Sequence, residues 1–172
     1  MLASMMGRVA AALAAVALLV LIDVRTKSWA AAELRTRGPR TLVGGHLRLQ
    51  YSENKGLAFG RLRDGARQSA IIGYSAVMSL ALLGVLVHRL LRKRPAGFLL
   101  PAGCAALLAG TLGNLHDRLE RGYVIDFIDV QRVDWPTFNV ADVVITLGIA
   151  LCLAGLVAAA VRHRRASASG LA

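Results

Sequence analysis

Two aspartates, Asp126 and Asp142, occupy positions where a chemical role competes with an ordinary structural one. Asp126 lies in the run Tyr123-Val124-Ile125-Asp126-Phe127-Ile128-Asp129-Val130, which is β-branched and aromatic and reads as a strand. Val124 and Ile128 share its face, and an acid there is a poor choice for a plain strand. Asp142 opens a long uncharged run. Two carboxylates held close together cannot both ionise, so they share a proton. The ionised member can take a proton from water while its partner protonates a carbonyl oxygen. That is general acid–base hydrolysis of a peptide bond, without a metal or a covalent intermediate. Spacing alone does not bring Asp126 to Asp142. Asp142 also has an ordinary role available, because Asn139 is a good N-cap and Asp142 follows three residues later, the spacing of a capping box with Asp in place of Glu or Gln. A helix N-terminus favours a carboxylate in any case.

Other polar residues have milder readings. Asp23 and Lys27 are four apart and form an i,i+4 pair on one helix face, with a scaffolding role near the membrane interface. Asn114 and Arg118 share the same spacing beside Asp117. Arg118 either complements a helix C-terminus or, with Asn114, donates hydrogen bonds to a substrate backbone. The four histidines are scattered and form no HExxH, and Cys104 and Cys152 lack metal or disulfide spacing. No serine sits in a nucleophile elbow. Gly56 and Gly60 flank an apolar turn and not a phosphate loop.

The elements that must position these residues are membrane helices. The chain has 172 residues, 56% hydrophobic, with a formal net charge of +11, and its mean hydropathy is +0.55. This apolar content excludes a disordered chain. A charge of +11 would suggest nucleic acid, but the apolar runs leave little chain for a soluble basic face. A bilayer core needs roughly 20 apolar residues in helix. Four segments qualify, at about 8–31, 68–90, 95–116 and 139–161, with connections at about 32–67 and 117–138. Together they make one integral membrane domain over 1–172. Small residues, among them Gly73, Ser75, Gly84, Gly103, Gly110, Gly113 and Gly148, suit close helix packing. A cleavable signal peptide competes for the first segment, with Ala30-Ala31-Ala32 as its cleavage site, but Asp23, Arg25, Lys27 and Trp29 crowd that stretch.

Four spans put both termini on one side. That side carries eight basic residues and no acid, whereas all ten acids and the other basic residues fall on the opposite side. The positive-inside rule counts Lys and Arg alone, so the raw count decides nothing. The dense Arg92-Lys93-Arg94 and Arg162 to Arg165 clusters look cytoplasmic. In the first connection Leu47, Leu49 and Tyr51 alternate with polar residues and predict a strand. Residues Arg61 to Arg67 suit a short surface helix, and Trp29 and Trp135 suit the membrane interface. Asp129 falls on the strand face opposite Asp126 and is expected to be solvated.

The blocks Asp23-x-x-x-Lys27-x-Trp29, Asn54-x-Gly56-x-Ala58-Phe59-Gly60, Gly113-Asn114-Leu115-x-Asp117-Arg118, Gly122-Tyr123-Val124-x-Asp126-Phe127-Ile128-Asp129 and Phe138-Asn139-Val140-Ala141-Asp142 resemble the lipoprotein signal peptidases (signal peptidase II), in the family's order and from the first span to the last. The resemblance implies an aspartic endopeptidase of the bacterial inner membrane, with Asp126 and Asp142 at the catalytic positions. It implies substrate-site positions at Asn54, Gly56, Asn114, Arg118 and Asn139, and structural support from Asp23, Lys27 and Asp117. The implied fold is a membrane all-α bundle of four transmembrane helices with a small extracytoplasmic β-cradle and a short surface helix, both termini being cytoplasmic. The implied substrate is a prolipoprotein whose lipobox cysteine already bears diacylglycerol, cut just before that cysteine. The expected partners are that substrate and membrane lipids, with no nucleic acid, cofactor or metal, and the expected state is a monomer.

The chain departs from the family pattern at Val24, where Gln is common, at Leu57, where Ala is common, and at His116, usually apolar. These bear on substrate preference and not on the aspartates. The competing class is a non-enzymatic membrane protein, a proton- or ion-coupled carrier or a helical assembly factor, whose acids would be relay or pairing groups. Against it, no acid lies deep within the second, third or fourth span.

Overall fold

The computed structural model describes residues 2–56, 64–92 and 97–169. Its element order is α1 (Leu2–Arg37), β1 (Arg40–Leu42), β2 (Leu47–Asn54), α2 (Asp64–Leu91), α3 (Leu99–Glu120), β3 (Val124–Val130) and α4 (Val140–Ser169). All four helices are long and apolar enough to cross a membrane. Their ends depart from the hydropathy reading. α1 and α4 run well past the apolar stretches, into Arg35 and Arg37 and into Arg162 to Arg165. α3 starts later and continues to Glu120, so Asp117 and Arg118 are helical. Apolarity ends where water begins, whereas a helix continues for as long as its backbone bonds are made.

Contacts give the helix directions. Asp23 and Lys27 of α1 meet Gly113, Asn114 and Asp117 of α3, so these two run parallel. Gln68 at the start of α2 reaches the carbonyl of Arg118 at the end of α3, so α2 runs back. α4 also opposes α3: Gly155 lies against Leu100, Gly148 against Leu107, and Gly110 against Ala141 and Ile145. α3 is the most buried of the four. Val16, Leu86, Cys104 and Leu108 form a core where α1, α2 and α3 meet. Large apolar side chains such as Leu18, Tyr74, Leu80, Leu147 and Val157 face outward, as a lipid environment allows.

Glycine spacing does not act uniformly. Gly73 and Gly84 have open space where a Cβ would go, so they mediate no close packing. Gly103 and Gly110 do. A Cβ on Gly110 would lie 2.6 Å from the Ala141 carbonyl oxygen and 2.6 Å from Ile145 Cγ1. Gly110→Ala is therefore expected to push α4 away from α3 and to cost about 1–3 kcal/mol, read as earlier denaturation in a detergent unfolding titration. The same change at Gly84 is expected to cost nothing measurable.

At one end of the bundle the three strands form an antiparallel sheet in the order β1-β2-β3. The expected strands appear as β2 and β3. β1 is an addition to them, because Arg40-Thr41-Leu42 is three residues long and fully exposed, with no alternation to read. The sheet packs on α1 through Ala30, Leu34, Ile125 and Phe127. A bulge between Leu49 and Ser52 shifts the register, so Arg48 faces Asp129 and Asn54 faces Val124. The first three residues of the surface helix expected at 61–67 lie outside the described residues, as do Leu57 to Gly60. From Asp64 onward the chain already belongs to α2.

Candidate active site

The site sits where β3, the C-terminal half of α3 and the N-terminus of α4 converge. Phe138 is the hinge of this convergence. Its carbonyl accepts from Phe127 N (2.9 Å) and Ile128 N (2.8 Å), and its own N–H donates to the Ile128 carbonyl (3.0 Å). This bridge fastens the residues just before α4 to the strand that carries Asp126. Asp126 and Asp142 are thereby brought to the two sides of one residue, Asn139.

Asn139 is fully buried. Its Nδ2 donates to Asp126 Oδ1 at 2.6 Å, and its backbone N–H donates to Asp142 Oδ2 at 3.1 Å. Asp142 N donates back to Asn139 Oδ1 at 3.0 Å, which completes the capping box. The cap and the carboxylate pairing are one arrangement and not alternatives. Each carboxylate has a second donor: Asn54 Nδ2 to Asp126 Oδ2 at 2.8 Å, and Asn114 Nδ2 to Asp142 Oδ1 at 2.9 Å. Asn54 reaches diagonally across the β2–β3 pair, and its Oδ1 accepts from Gly56 N at 2.8 Å. Gly56 has φ +64°, the left-handed conformation that this turn requires.

Burial pushes the Asp126 carboxyl up to about 6. The Asp142 charge adds to the rise, while hydrogen bonds from Asn54 and Asn139 and the charge of Lys27 oppose it. A carboxyl group titrating there can hold a proton near neutral pH beside a second carboxylate.

Behind the pair lies a second set of buried charges. Lys27 Nζ, with no exposed surface, is 2.7 Å from Asp23 Oδ2, 3.4 Å from Asp117 Oδ2 and 2.8 Å from Asn114 Oδ1. Asp23 Oδ1 accepts from Ala141 N at 2.8 Å in the first turn of α4, and Asp117 Oδ2 accepts from Ile125 N at 3.0 Å in β3. Lys27 therefore ties α1 to the asparagine that holds Asp142, and its two acids hold the backbone beside each site aspartate. One expectation changes here. The Asp23–Lys27 pair is buried and not exposed at an interface. Asn114 turns its side-chain amide inward: Oδ1 accepts from Lys27 and from Asn139 Nδ2 (3.2 Å), and Nδ2 donates to Asp142. Arg118 Nη1 donates to the Asn114 carbonyl at 3.2 Å, on the same helix and near both site carboxylates.

Asp129 is another correction. It is only 8% exposed and pairs with Arg48 Nη2 at 2.8 Å, with Gln131 Nε2 at 2.6 Å. The partner comes from β2, so strand alternation alone gives no sign of it. The link from Asp117 to Ile125 N also escapes a reading of the sequence. Its only trace there is that Asp117 lies on one helix face with Asn114. His116, one of the departures, has Nδ1 4.0 Å from Asp117 Oδ1.

From Asp142 an apolar groove of about 500 Å³ runs along α4, walled by Trp135, Phe138, Val143 and Leu147. No cluster of histidine, cysteine and acid groups suited to a metal occurs among the described residues.

A four-helix membrane bundle with two carboxylates joined through one buried asparagine defines the class, a polytopic membrane protein with a paired-carboxylate site. Residues 15–158 match the family model described as "Signal peptidase (SPase) II". The lipoprotein signal peptidase of Caulobacter vibrioides is 38% identical over 151 residues, which span 86% of this chain and 85% of that protein. That of Syntrophus aciditrophicus is 33% identical over 134 residues, spanning 77% and 83%. A solved structure of a bacterial membrane enzyme, obtained by the in meso method at 1.9 Å resolution, superposes with a TM-score of 0.74 at 26% identity, covering 86% of this chain and 92% of that one. The chain belongs to the signal peptidase II family, and it is accordingly an aspartic peptidase and a multi-pass protein of the bacterial inner membrane.

Proposed function

We propose that this protein removes the signal peptide from diacylglyceryl-modified prolipoproteins, cleaving before the lipidated cysteine, with Asp126 and Asp142 as its catalytic pair. The observation that carries this reading is the Asn139 bridge, one buried side chain and its own backbone N–H holding the two carboxylates together. When Asp126 holds the shared proton, it protonates the scissile carbonyl oxygen while Asp142 takes a proton from the attacking water. The tetrahedral intermediate then collapses as a proton passes to the leaving nitrogen, and the pair returns to its singly protonated state.

In this reading the remaining site residues take the following roles. Asn139 and Asn114 position the pair. Asn54 and Gly56 shape the β2 turn beside Asp126, and Arg118 contacts the substrate backbone. Asp23, Lys27 and Asp117 are structural support. The groove along α4 receives the apolar part of the substrate from the lipid side. Both termini face the cytoplasm, a reading supported by the arginine-rich end of α4 and by Arg92, at the opposite end from the aspartates. A single integral domain over 1–172, acting as a monomer, completes this reading.

The test is cleavage of matched diacylated and unlipidated prolipoprotein peptides by the protein in nanodiscs. Lipid recognition at about 0.8 kcal/mol per buried CH₂ predicts at least about 10²-fold faster cleavage of the diacylated peptide, at the bond before cysteine. Equal rates, or cleavage elsewhere, would refute the reading.

The pH dependence follows from Asp126. The active form carries one proton in the pair, so kcat/KM falls as pH rises through the upper apparent pKa of the free protein. A hydrogen bond from Asn54 favours the ionised carboxylate, so its loss raises that pKa. Asn54→Leu is expected to displace the alkaline limb of the kcat/KM profile to higher pH while leaving it bell-shaped. An unmoved or acid-shifted limb would separate Asn54 from the dyad.

A further inference from the structure

The end of the bundle opposite the aspartates has a cavity of its own. It holds about 180 Å³ between the C-terminus of α2, the start of α3 and the last third of α4. Arg89 comes from the last turn of α2, Arg92 from just past its end and Arg162 from α4, and Phe98, Leu100 and Gly155 complete the wall. Gly97 has φ +119°, and a Cβ there would lie 3.5 Å from an Arg162 guanidinium nitrogen, so the loop passes directly beside that charge. Gly155 lets α4 approach the Leu100 backbone, where a Cβ would be 2.9 Å from Leu100 N.

The segments that build this end are rich in arginine and carry no acidic side chain. None of the ten acids lies in residues 1–22, 65–116 or 143–172. Arg92 Nε donates to His88 Nε2 at 3.3 Å, a bond that brings no negative charge to the guanidinium. α3 begins at the cavity without a side-chain cap, so the positive end of its dipole adds to the arginines. Guanidinium groups match phosphate oxygens in charge and geometry. The wall beside them is apolar and continues onto the outer face of the bundle, where Phe98 is exposed.

We propose that this cavity binds the phosphate of an anionic phospholipid, with the headgroup among Arg89, Arg92 and Arg162 and the acyl chains along the outer faces of α3 and α4. Basic pockets between membrane helices take such headgroups. The site serves as a lipid anchor at the far end of the bundle from the peptidase chemistry. It rests on the membrane-spanning fold and not on the aspartate assignment, so either can fail without the other.

The test is native mass spectrometry of the full chain, delipidated and then titrated with phosphatidylglycerol or phosphatidylcholine. Wild type is expected to retain one phosphatidylglycerol at least about fivefold more strongly than phosphatidylcholine, roughly the effect of one basic residue at a membrane surface. Arg89→Gln/Arg92→Gln/Arg162→Gln is expected to lose that preference. Ala158→Phe keeps all three charges but fills the cavity, and is expected to lose it too. Arg164→Gln, which changes a charge outside the cavity, is expected to keep it. Prolipoprotein processing by each preparation reports that the bundle is folded. Full retention by Ala158→Phe, or an equal loss in Arg164→Gln, would show diffuse surface charge and overturn the site. Complete displacement by millimolar inorganic phosphate would also overturn it, in favour of a small-anion site.

Discussion

Asp126→Asn and Asp142→Asn are each expected to lose about 10³- to 10⁴-fold of prolipoprotein cleavage while remaining folded. The size follows from the division of labour. One carboxyl group must donate a proton as the other accepts one, and an amide does neither at neutral pH. The fold should survive for a local reason. Asp126 is held by two amide donors, from Asn54 and Asn139, and the amide oxygen left by the substitution still accepts one of them. The substitution also removes a carboxylate whose ionisation is opposed by burial. Asp142 has a capping role, and an amide oxygen keeps one of its two accepted bonds. Unfolding midpoints near wild type, measured on the same preparations as the cleavage rates, separate lost chemistry from lost structure. A variant retaining more than about a tenth of the wild-type rate would remove its residue from the catalytic pair.

Lys27→Met is expected to have the largest effect on stability. The side chain has no exposed surface and is the only cation contacting Asp23 and Asp117 among the described residues, apart from Arg121, which pairs with the far oxygen of Asp117 at 2.6 Å. Removing one partner of a buried ion pair leaves an uncompensated charge and costs about 3–5 kcal/mol. Those two acids hold Ala141 N and Ile125 N, so the strain falls on α4 and β3 beside the dyad. Asn114 also loses its contact to Lys27 and with it part of its aim at Asp142. Lys27→Met should therefore unfold early and cleave slowly. Adding Asp23→Asn should recover part of the stability, since it removes the charge that Lys27 neutralised. If the double substitution is less stable than the single one, the charge-pair account of this cluster is wrong.

How far the sequence reveals this arrangement depends on the type of signal. The spans are legible because hydropathy runs are local. Their ends are not, since backbone hydrogen bonding carries α1 and α4 into charged residues where hydropathy has already fallen. β2 and β3 show alternation or β-branched composition, whereas β1 is too short and exposed to show either. Asp126 stands out as an acid on an apolar strand face, and Asp142 as part of a capping box. Their meeting is invisible, because it depends on Phe138 pairing with β3, a contact that no periodicity encodes. The Asp23–Lys27 spacing is evident, but spacing does not report burial, and burial turns a weak surface pair into the support of the site. Asp129 reads as solvated for the same reason, since its partner Arg48 lies on another strand 81 residues away in sequence.

The central claim is that Asp126 and Asp142 work as one unit. The most direct measurement is single-turnover cleavage of a diacylated prolipoprotein peptide by Asp126→Asn, Asp142→Asn and the double variant. Groups that act together show strongly non-additive losses. The account predicts that the double variant is no slower than either single one, within about threefold. A double variant whose loss is the product of the two single losses would contradict it, because the two carboxylates would then be acting independently.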